Sequence, residues 1–198
     1  MNVPTLEAAL ADITQKLRDA GRSFALVGGL AVSFRAEVRF TRDVDLAVVV
    51  ENDADFETLV YSLRVSGYVV VATVEQTQQK RLATARLQSP HGFVVDLMAA
   101  SCGIEKEIVE RATMIEMPGV GELPIARAEE LLAMKTLSMS PRRLQDQLDV
   151  RNLILYAENL DLNAVKENLE LIRARGFDRG EDLQTRWQNI LADATRED

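Results

Sequence analysis

The apolar positions at the start of the chain recur every three or four residues, a spacing typical of a helix with one buried face. These positions are Leu6, Leu10, Ile13 and Leu17. Thr5 stands where the N-cap of such a helix is expected, and Gly21 stands where it would end. The pattern therefore predicts a first helix that packs one face against the rest of the protein.

A short apolar run then stops at a glycine pair. Residues 24–27 predict a strand, Gly28 and Gly29 predict a turn, and residues 30–35 predict a short helix. Residues 44–50 are almost continuously aliphatic, which indicates a strand that is buried on both faces. The polar residues of this region come just before and at the start of that strand.

The middle of the chain alternates between turn residues and short apolar runs. Asp53 is placed to cap a helix that continues through Ser66 and is stopped by Gly67. The turn at residues 89–92, Ser-Pro-His-Gly, predicts a hairpin between the last two of three strands. These three strands are predicted at 68–74, 81–87 and 93–98.

The character of the chain changes after a short strand predicted at residues 123–125, because only helical patterns follow. The predicted helices are 128–139, 145–157, 162–175 and 181–194. We therefore expect an α+β protein with a mixed sheet flanked by helices. Its predicted domains are an α/β core at 1–125 and a C-terminal helical region at 126–198, packed on that core.

Composition narrows the classes of protein. With 198 residues, 47% hydrophobic and 27% charged, the chain is typical of a globular protein. It has no apolar run long enough to span a bilayer, so we expect a cytoplasmic protein with no membrane partner. The net charge of −8 argues against a broad basic surface, so a nucleic-acid substrate would need a local basic patch.

The single cysteine and single histidine exclude the usual Cys/His zinc sites, so any metal would be held by carboxylates. Asp43 and Asp45 are two residues apart on an extended segment, and they therefore point to one side of it. Two such carboxylates can share one magnesium ion. The alternative is that both residues only cap the turn into the strand.

Asp96 lies within the otherwise aliphatic residues 94–98. An unpaired charge inside a buried strand is costly, so Asp96 needs a partner. A metal bound by Asp43 and Asp45 would supply one, and a buried salt bridge to an arginine is the alternative. Arg81 and Arg86 have opposite strand parity, so at most one of them is expected to face the same cleft.

The order strand, Gly-Gly, helix, Asp-x-Asp on a strand and a lone Asp on a later strand resembles the polymerase-β-like nucleotidyltransferase fold. Three segments extend the likeness: FALVGGLAVSFRAEVRFTRDVDLAVVV, VVDLMAASCGIEKEIV and LLAMKTLSMSPRRLQDQLDVRNLI. Together they resemble the AbiEii-type family of abortive-infection, type IV toxin–antitoxin nucleotidyltransferases. The resemblance covers residues 24–155.

The resemblance implies roles for the residues near the glycine pair and the aspartates. Gly28 and Gly29 match the phosphate loop of the family. Asp43, Asp45 and Asp96 match its catalytic, metal-binding carboxylates, of which the third assists deprotonation of the attacking hydroxyl.

Further nucleotide-binding roles follow from the same resemblance. Phosphate contact is expected from the backbone or from Ser33, because Leu30 stands where many superfamily members have a hydroxyl residue. Arg39 and Thr41 match the polar residues that lead into Asp-x-Asp.

The resemblance also gives roles to the later helices. Lys135 corresponds to a catalytic lysine near the triphosphate, and Asp146 with Asp149 to an acidic pair. From the residues alone, Lys135 can instead extend its ammonium group to solvent along an apolar helix. The two aspartates can instead be surface charges that pair with Arg142 and Arg143 at helical spacing.

The expected reaction is transfer of a nucleoside monophosphate from a nucleoside triphosphate (NTP) to an acceptor, with two Mg²⁺ ions and release of pyrophosphate. The favoured acceptor is RNA, at the tRNA 3′ end, with the protein acting as a toxin beside a cognate antitoxin. Two alternatives stay open: a small-molecule acceptor such as an aminoglycoside, and a non-catalytic nucleotide-binding module. The intact set of three aspartates speaks against the second of these.

Overall fold

The structure, a computed structural model, describes residues 5–140 and 143–194. Within these residues seven strands form one mixed sheet in the order β3-β4-β5-β2-β1-β7-β6. The strands are β1 (Phe24–Val27), β2 (Asp43–Val48), β3 (Val69–Gln76), β4 (Arg81–Gln88), β5 (Val94–Met98), β6 (Thr113–Met117) and β7 (Gly121–Ile125). The α+β class predicted from the sequence is therefore confirmed.

Helices cover this sheet and continue the chain beyond it. They are α1 (Leu6–Asp19), α2 (Gly28–Arg35), α3 (Asp53–Val65), α4 (Glu105–Arg111), α5 (Ala128–Ser138), α6 (Leu144–Tyr156), α7 (Leu162–Ala174) and α8 (Leu183–Ala194). The predicted helices are present, with ends shifted by one or two residues. Helix α2 begins at Gly28 itself, so the glycine pair forms its first turn.

Helix ends follow the expected capping chemistry, with one correction. The Thr5 hydroxyl accepts a hydrogen bond from the N–H of Ala8 and caps α1 as predicted. The predicted cap of α3 was Asp53, which is wrong, because the side chain of Asn52 accepts from the N–H of Asp55. Asp53 lies in the first turn, where its carboxylate binds Arg81 of β4 instead.

The strand pairing sets which side chains share a face. Strand β2 runs parallel to β5 and antiparallel to β1. Strands β4 and β5 form the predicted hairpin, closed by a 2.8 Å hydrogen bond from the Ser89 N–H to the Phe93 carbonyl. Two elements were not predicted, α4 and β6, and both come between β5 and β7 in the chain, with β6 at the edge of the sheet.

The C-terminal helices pack onto the same hydrophobic core as the sheet. Trp187 of α8, Leu153 of α6 and Ile172 of α7 are buried in the cluster that also contains β1 and β2. Helix α5 contacts α2 as well as α6 and α7. The domain boundary after residue 125 stays a prediction. No helix within the described residues is long and apolar enough to cross a membrane.

Candidate active site

Three neighbouring strands bring charged side chains together on one face of the sheet. In the β2–β5 pair Asp45 lies opposite Asp96, and in the β4–β5 pair Arg86 lies opposite Asp96. Residues that face each other across a ladder point to the same side of a sheet. Asp43 is two residues before Asp45 and shares this side. We call Asp43, Asp45, Asp96 and Arg86 the strand cluster.

Asp96 is held by Arg86 in a two-bond ion pair. The Arg86 Nε lies 2.9 Å from Oδ1 and its Nη2 lies 2.6 Å from Oδ2 of Asp96. The buried salt bridge considered above for Asp96 is therefore present. The hydrogen bond and charge of Asp96, with smaller contributions from Asp43 and Asp45, raise the pKa of Arg86 further above its usual range. One guanidinium thus faces three carboxylates.

Asp45 carries the strongest electrostatic penalty of the cluster. Burial, followed by repulsion from Asp96, raises the pKa of Asp45 to about 6, and Asp43 adds to the effect. The charge of Lys135 and a hydrogen bond from the Gly29 N–H oppose this rise. The ionised Asp45 is therefore short of positive partners, which is the condition that favours binding of a cation.

The glycine pair is required by close packing. Gly28 has a φ of +64°, and a β-carbon there would overlap the carboxylate of Asp45. A β-carbon at Gly29 would overlap the guanidinium of Arg39. Both glycines thus leave space for charged side chains at the first turn of α2. The phosphate contact predicted for the pair stays a prediction.

A second group of charges ties two helices to the loop before β2. Lys135 Nζ lies 2.7 Å from Asp146 Oδ1 and 2.7 Å from Asp149 Oδ2. Arg39 Nη2 donates to Asp149 Oδ2 at 3.0 Å, and Arg143 Nε lies 2.9 Å from Asp146 Oδ2. We call these five residues the helix cluster. It joins α5, α6 and the loop at residues 36–42.

The contacts of the helix cluster decide between the two interpretations of Lys135 and between those of Asp146 and Asp149. The Lys135 side chain is only 11% exposed and has two carboxylate partners, so the interpretation as a solvent-directed lysine is wrong. Asp146 and Asp149 are buried, so they are not surface charges. Arg143 does pair with Asp146 as that alternative expected. Arg142 lies outside the described residues.

Ser33 and Thr41 support the loop before β2. The Ser33 hydroxyl donates to the Gly29 carbonyl at 3.1 Å and accepts from the Arg39 N–H at 3.2 Å. The Thr41 hydroxyl makes a long 3.5 Å contact with the Asp43 carbonyl. These contacts position Arg39 and Asp43, and the nucleotide-binding roles of both hydroxyls stay predictions.

A cavity of about 220 Å³ lies between the two clusters. Gly28, Asp45 and Lys135, all predicted site residues, line it together. The predicted residues thus converge from the sheet, the glycine turn and α5. Cys102 also lines the cavity, but burial and the nearby Glu105 raise the pKa of its thiol well above the usual range, so it is not a reactive thiolate.

Sequence reasoning did not assign Arg86 or Arg179, which both lie at the site. A signal for Arg86 was available, because the hairpin turn pairs Ser89 with Phe93 and the same register places Arg86 opposite Asp96. Arg179 lines the cavity from the loop between α7 and α8. No local pattern marks a loop residue of this kind.

The carboxylates of the strand cluster meet part of what a divalent-cation site requires. Asp43 and Asp45 offer oxygen ligands on one strand face, and burial followed by repulsion from Asp96 and Asp43 raises the pKa of Asp45. In the part of the chain that the structure describes, no three His, Cys, Asp or Glu side chains are arranged as one metal site. Asp96 can join such a site only after Arg86 releases its oxygens.

Comparisons with known proteins identify the family and the fold of the chain. A family model described as "Nucleotidyl transferase AbiEii toxin, Type IV TA system" matches residues 15–198. A search of curated proteins finds no relative that matches. The chain is also similar to several solved structures, two of which are described next.

The first solved structure is an antigenic nucleotidyltransferase-like protein from Paracoccidioides brasiliensis, with 21% identity, a TM-score of 0.51 and 92% of each chain covered. The second is ANT(2″)-Ia in complex with adenylyl-2″-tobramycin, with 11% identity, a TM-score of 0.54, and 85% of this chain and 97% of that chain covered. Identities this low show the fold alone. Since the family model matches most of its length, the chain belongs to the AbiEii nucleotidyltransferase toxin family of type IV toxin–antitoxin systems.

Proposed function

We propose that this nucleotidyltransferase moves a nucleoside monophosphate from an NTP to the 3′ end of an RNA, with tRNA as the acceptor class, in a metal-dependent reaction. The observation that carries the proposal is the convergence of Asp45, Gly28 and Lys135 on one cavity beside Asp43 and Asp96. Binding of a triphosphate needs positive charge and a backbone that its phosphates can approach closely. The transfer needs carboxylates beside the triphosphate.

Asp43 and Asp45 are the residues that would hold Mg²⁺, with two ions expected from the family resemblance. When bound, magnesium supplies charge neutralisation on the triphosphate and on the attacking and leaving oxygens. Asp96 is expected to accept the proton of the attacking hydroxyl, as the resemblance implies. In that role its carboxylate has to be released by Arg86, which engages both of its oxygens.

Lys135 supplies fixed positive charge at the opposite wall of the cavity. Its ammonium group is positioned by Asp146 and Asp149, so no side-chain freedom has to be lost when phosphate arrives. Arg39, with Ser33 and the glycine pair, orders the loop that leads into β2. Preorganised charge of this kind lowers a barrier without rearrangement during the reaction.

The charge distribution around the cavity favours RNA over a cationic small molecule. Arg143 and Arg179 line the cavity, and the half-exposed Arg86 lies beside it, although the chain as a whole carries a net charge of −8. Such a local basic patch can bind phosphates of a polynucleotide. As a member of a type IV toxin–antitoxin family, the protein is also expected to have a cognate antitoxin.

The test is incubation with total RNA, Mg²⁺ and each of the four labelled NTPs, followed by separation of the RNA species. We expect label in a tRNA-sized species with the parent protein and none with Asp45→Asn. Asp19→Asn, which removes a carboxylate at the end of α1, is the control and should label RNA like the parent. Absence of label in every RNA species with all four NTPs would contradict the proposed acceptor and favour a small molecule.

A further inference from the structure

A second cavity, of about 360 Å³, lies directly beside the one that contains Asp45 and Lys135. The two cavities share three wall residues, namely Thr84, Ser101 and Arg179. The second cavity extends over β4 toward the turn between β3 and β4. We call it the Arg179 cavity. A ligand seated in it would touch the cavity between the two clusters without filling it.

The sheet register places the Arg179 cavity on the Asp96 side of the strand cluster. Thr84 lies opposite Met98, while Arg86 lies opposite Asp96. Thr84 and Arg86 are two residues apart, so they project from the same face of β4, separated by roughly 7 Å. A hydroxyl held at the inner edge of this cavity would therefore approach the carboxylate that is expected to accept its proton.

The lining of the Arg179 cavity is mixed apolar and polar and carries little net charge. It contains one carboxylate, Glu75, and one guanidinium, Arg179. Its uncharged polar groups include the carboxamide of Gln78 and the hydroxyl of Thr77. A polycationic acceptor would call for several carboxylates, whereas a nucleotide needs hydrogen-bonding groups for its base and a cation for its phosphate.

Arg179 is suited to bind a phosphate group. Its side chain is exposed, and within the described residues its hydrogen bond is a long 3.5 Å contact with the Ser101 carbonyl. Its φ of +59° is a left-handed conformation that costs about 1 kcal/mol for a residue other than glycine. The loop therefore holds Arg179 in an unfavourable conformation at the boundary of both cavities.

The walls of the Arg179 cavity are fixed by contacts between distant segments. Gln79 Nε2 donates to the Gly176 carbonyl at 3.1 Å, which joins the β3–β4 turn to the α7–α8 loop. The ring of Phe177 packs so closely on Gly103 that a β-carbon on residue 103 would overlap the ring. Arg175 forms a two-bond ion pair with Glu107 of α4. The cavity is therefore formed before any ligand binds.

We infer that the Arg179 cavity binds the 3′-terminal nucleotide of the RNA acceptor, with Arg179 contacting a backbone phosphate and Gln78 a base edge. The inference rests on the proposed function. In the transfer, the terminal ribose oxygen bonds to the α-phosphorus of the NTP, the bond from that phosphorus to the bridging oxygen breaks, and pyrophosphate leaves. The hydroxyl proton passes to Asp96.

The experiment compares Arg179→Gln and Gln78→Ala with the matched control Arg173→Gln, which removes an exposed arginine from the end of α7. Three quantities are measured: the KM for tRNA in the transfer reaction, the anisotropy of fluorescein-labelled tRNA with protein, and the melting-temperature shift given by NTP and Mg²⁺. Arg179→Gln should weaken tRNA binding and raise its KM about tenfold, as expected for loss of a charged hydrogen bond. The melting-temperature shift should stay that of the parent, and the control should bind tRNA like the parent.

Other results separate failure of the inference from failure of the proposed function. If the parent labels RNA but both cavity variants keep its KM, the acceptor nucleotide binds elsewhere and the inference is wrong. If Arg179→Gln loses the NTP-dependent shift as well, Arg179 binds the NTP and not the acceptor, and the inference is again wrong. If the parent binds NTP but neither binds nor labels tRNA, the proposed acceptor fails, and the assignment of this cavity to RNA fails with it.

Discussion

The strand cluster and the helix cluster border the same cavity but balance charge in opposite ways. The strand cluster sets three carboxylates against one guanidinium, and burial with mutual repulsion raises the pKa of Asp45 to about 6. The helix cluster sets two buried carboxylates against three cations, each within 3.0 Å of a carboxylate oxygen. One cluster has excess negative charge, and the other is fully paired.

The difference indicates that the strand cluster is suited to bind a cation and that the helix cluster holds the surrounding segments in place. Excess negative charge destabilises the empty site and is relieved when a cation arrives. The helix cluster has three cations against two carboxylates, so Lys135 keeps positive charge for a triphosphate while the ion pairs hold α5, α6 and the loop at residues 36–42 in one arrangement. Lys135 belongs to the paired cluster yet also lowers the pKa of Asp45, so it couples the two.

The largest effect should be on the rate of catalysis, in a variant that lacks one charge of the strand cluster. Asp45→Asn is expected to reduce nucleotidyl transfer by at least ~10⁴-fold, about 5 kcal/mol in the barrier, because the site loses a magnesium ligand. Transfer of labelled NMP to RNA is the measurement, and Asp19→Asn is the control. Near-parental activity in Asp45→Asn would remove Asp45 from the catalytic site.

A substitution in the helix cluster should instead lower the unfolding free energy of the protein. Asp149→Asn leaves Lys135 and Arg39 short of a buried partner, and breaking such a pair costs about 3–5 kcal/mol of unfolding free energy. Urea denaturation measures this loss. The control is Glu110→Gln, which breaks an exposed pair with Lys106 and should cost less than about 1 kcal/mol. An equal cost for the two variants would mean that the helix cluster does not stabilise the fold.

The pH dependence of stability should distinguish the clusters further. The pKa of Asp45 is raised from 3.8 to about 6 in the folded protein, so its ionisation costs stability above that pH, whereas below about pH 4 the cost is absent. Asp45→Asn should therefore be more stable than the parent by about 1–3 kcal/mol at pH 8 and equal to it at pH 4, without metal or nucleotide.

Asp53→Asn is the matched control for this pH series. The hydrogen bond from Arg81 lowers the pKa of Asp53. The ionised Asp53 therefore stabilises the protein at pH values above the usual pKa of an aspartate. This variant should lose less than about 1 kcal/mol at pH 8, because the pair is partly exposed, and lose nothing at low pH. The same sign for both variants would contradict the proposed imbalance of the strand cluster.

The smallest effect concerns the one cation of the strand cluster. Arg86→Gln should free the oxygens of Asp96 and strengthen Mg²⁺ binding to the nucleotide-free protein by about tenfold, or ~1.4 kcal/mol. Isothermal titration of Mg²⁺ measures the change. Arg81→Gln on the same strand is the control, since Arg81 pairs with Asp53. Unchanged Mg²⁺ affinity in Arg86→Gln would show that Arg86 does not compete with the metal.

Much of the strand cluster could be predicted from local patterns. The aliphatic run after Asp45 and the alternation that places Asp43 on the same side depend only on the geometry of a strand. The hairpin turn fixes a register, so the opposition of Arg86 and Asp96 was also within reach of the sequence. What the sequence left open was whether Asp96 faces a metal or an arginine, because that depends on side-chain positions.

The helix cluster shows what only the tertiary structure decides. Helical spacing explained the pairing of Asp146 with Arg143, but it also made both aspartates look like surface charges. Their burial follows from the packing of α6 on the neighbouring α5 and on α2, which lies far earlier in the chain. The convergence of Arg39 with Asp149 depends on this packing, and the position of Arg179 depends on contacts of the α7–α8 loop with residues far earlier in the chain.

The sequence by itself determined most of the helices and strands, the shared face of Asp43 and Asp45, and, through resemblance, the family. These follow from periodicity and motif order, which local backbone geometry enforces. The tertiary structure decided which charges are paired and which are in excess, and where the α7–α8 loop lies. Charge balance depends on distance and burial, and the sequence does not contain either until the helices have packed on the sheet.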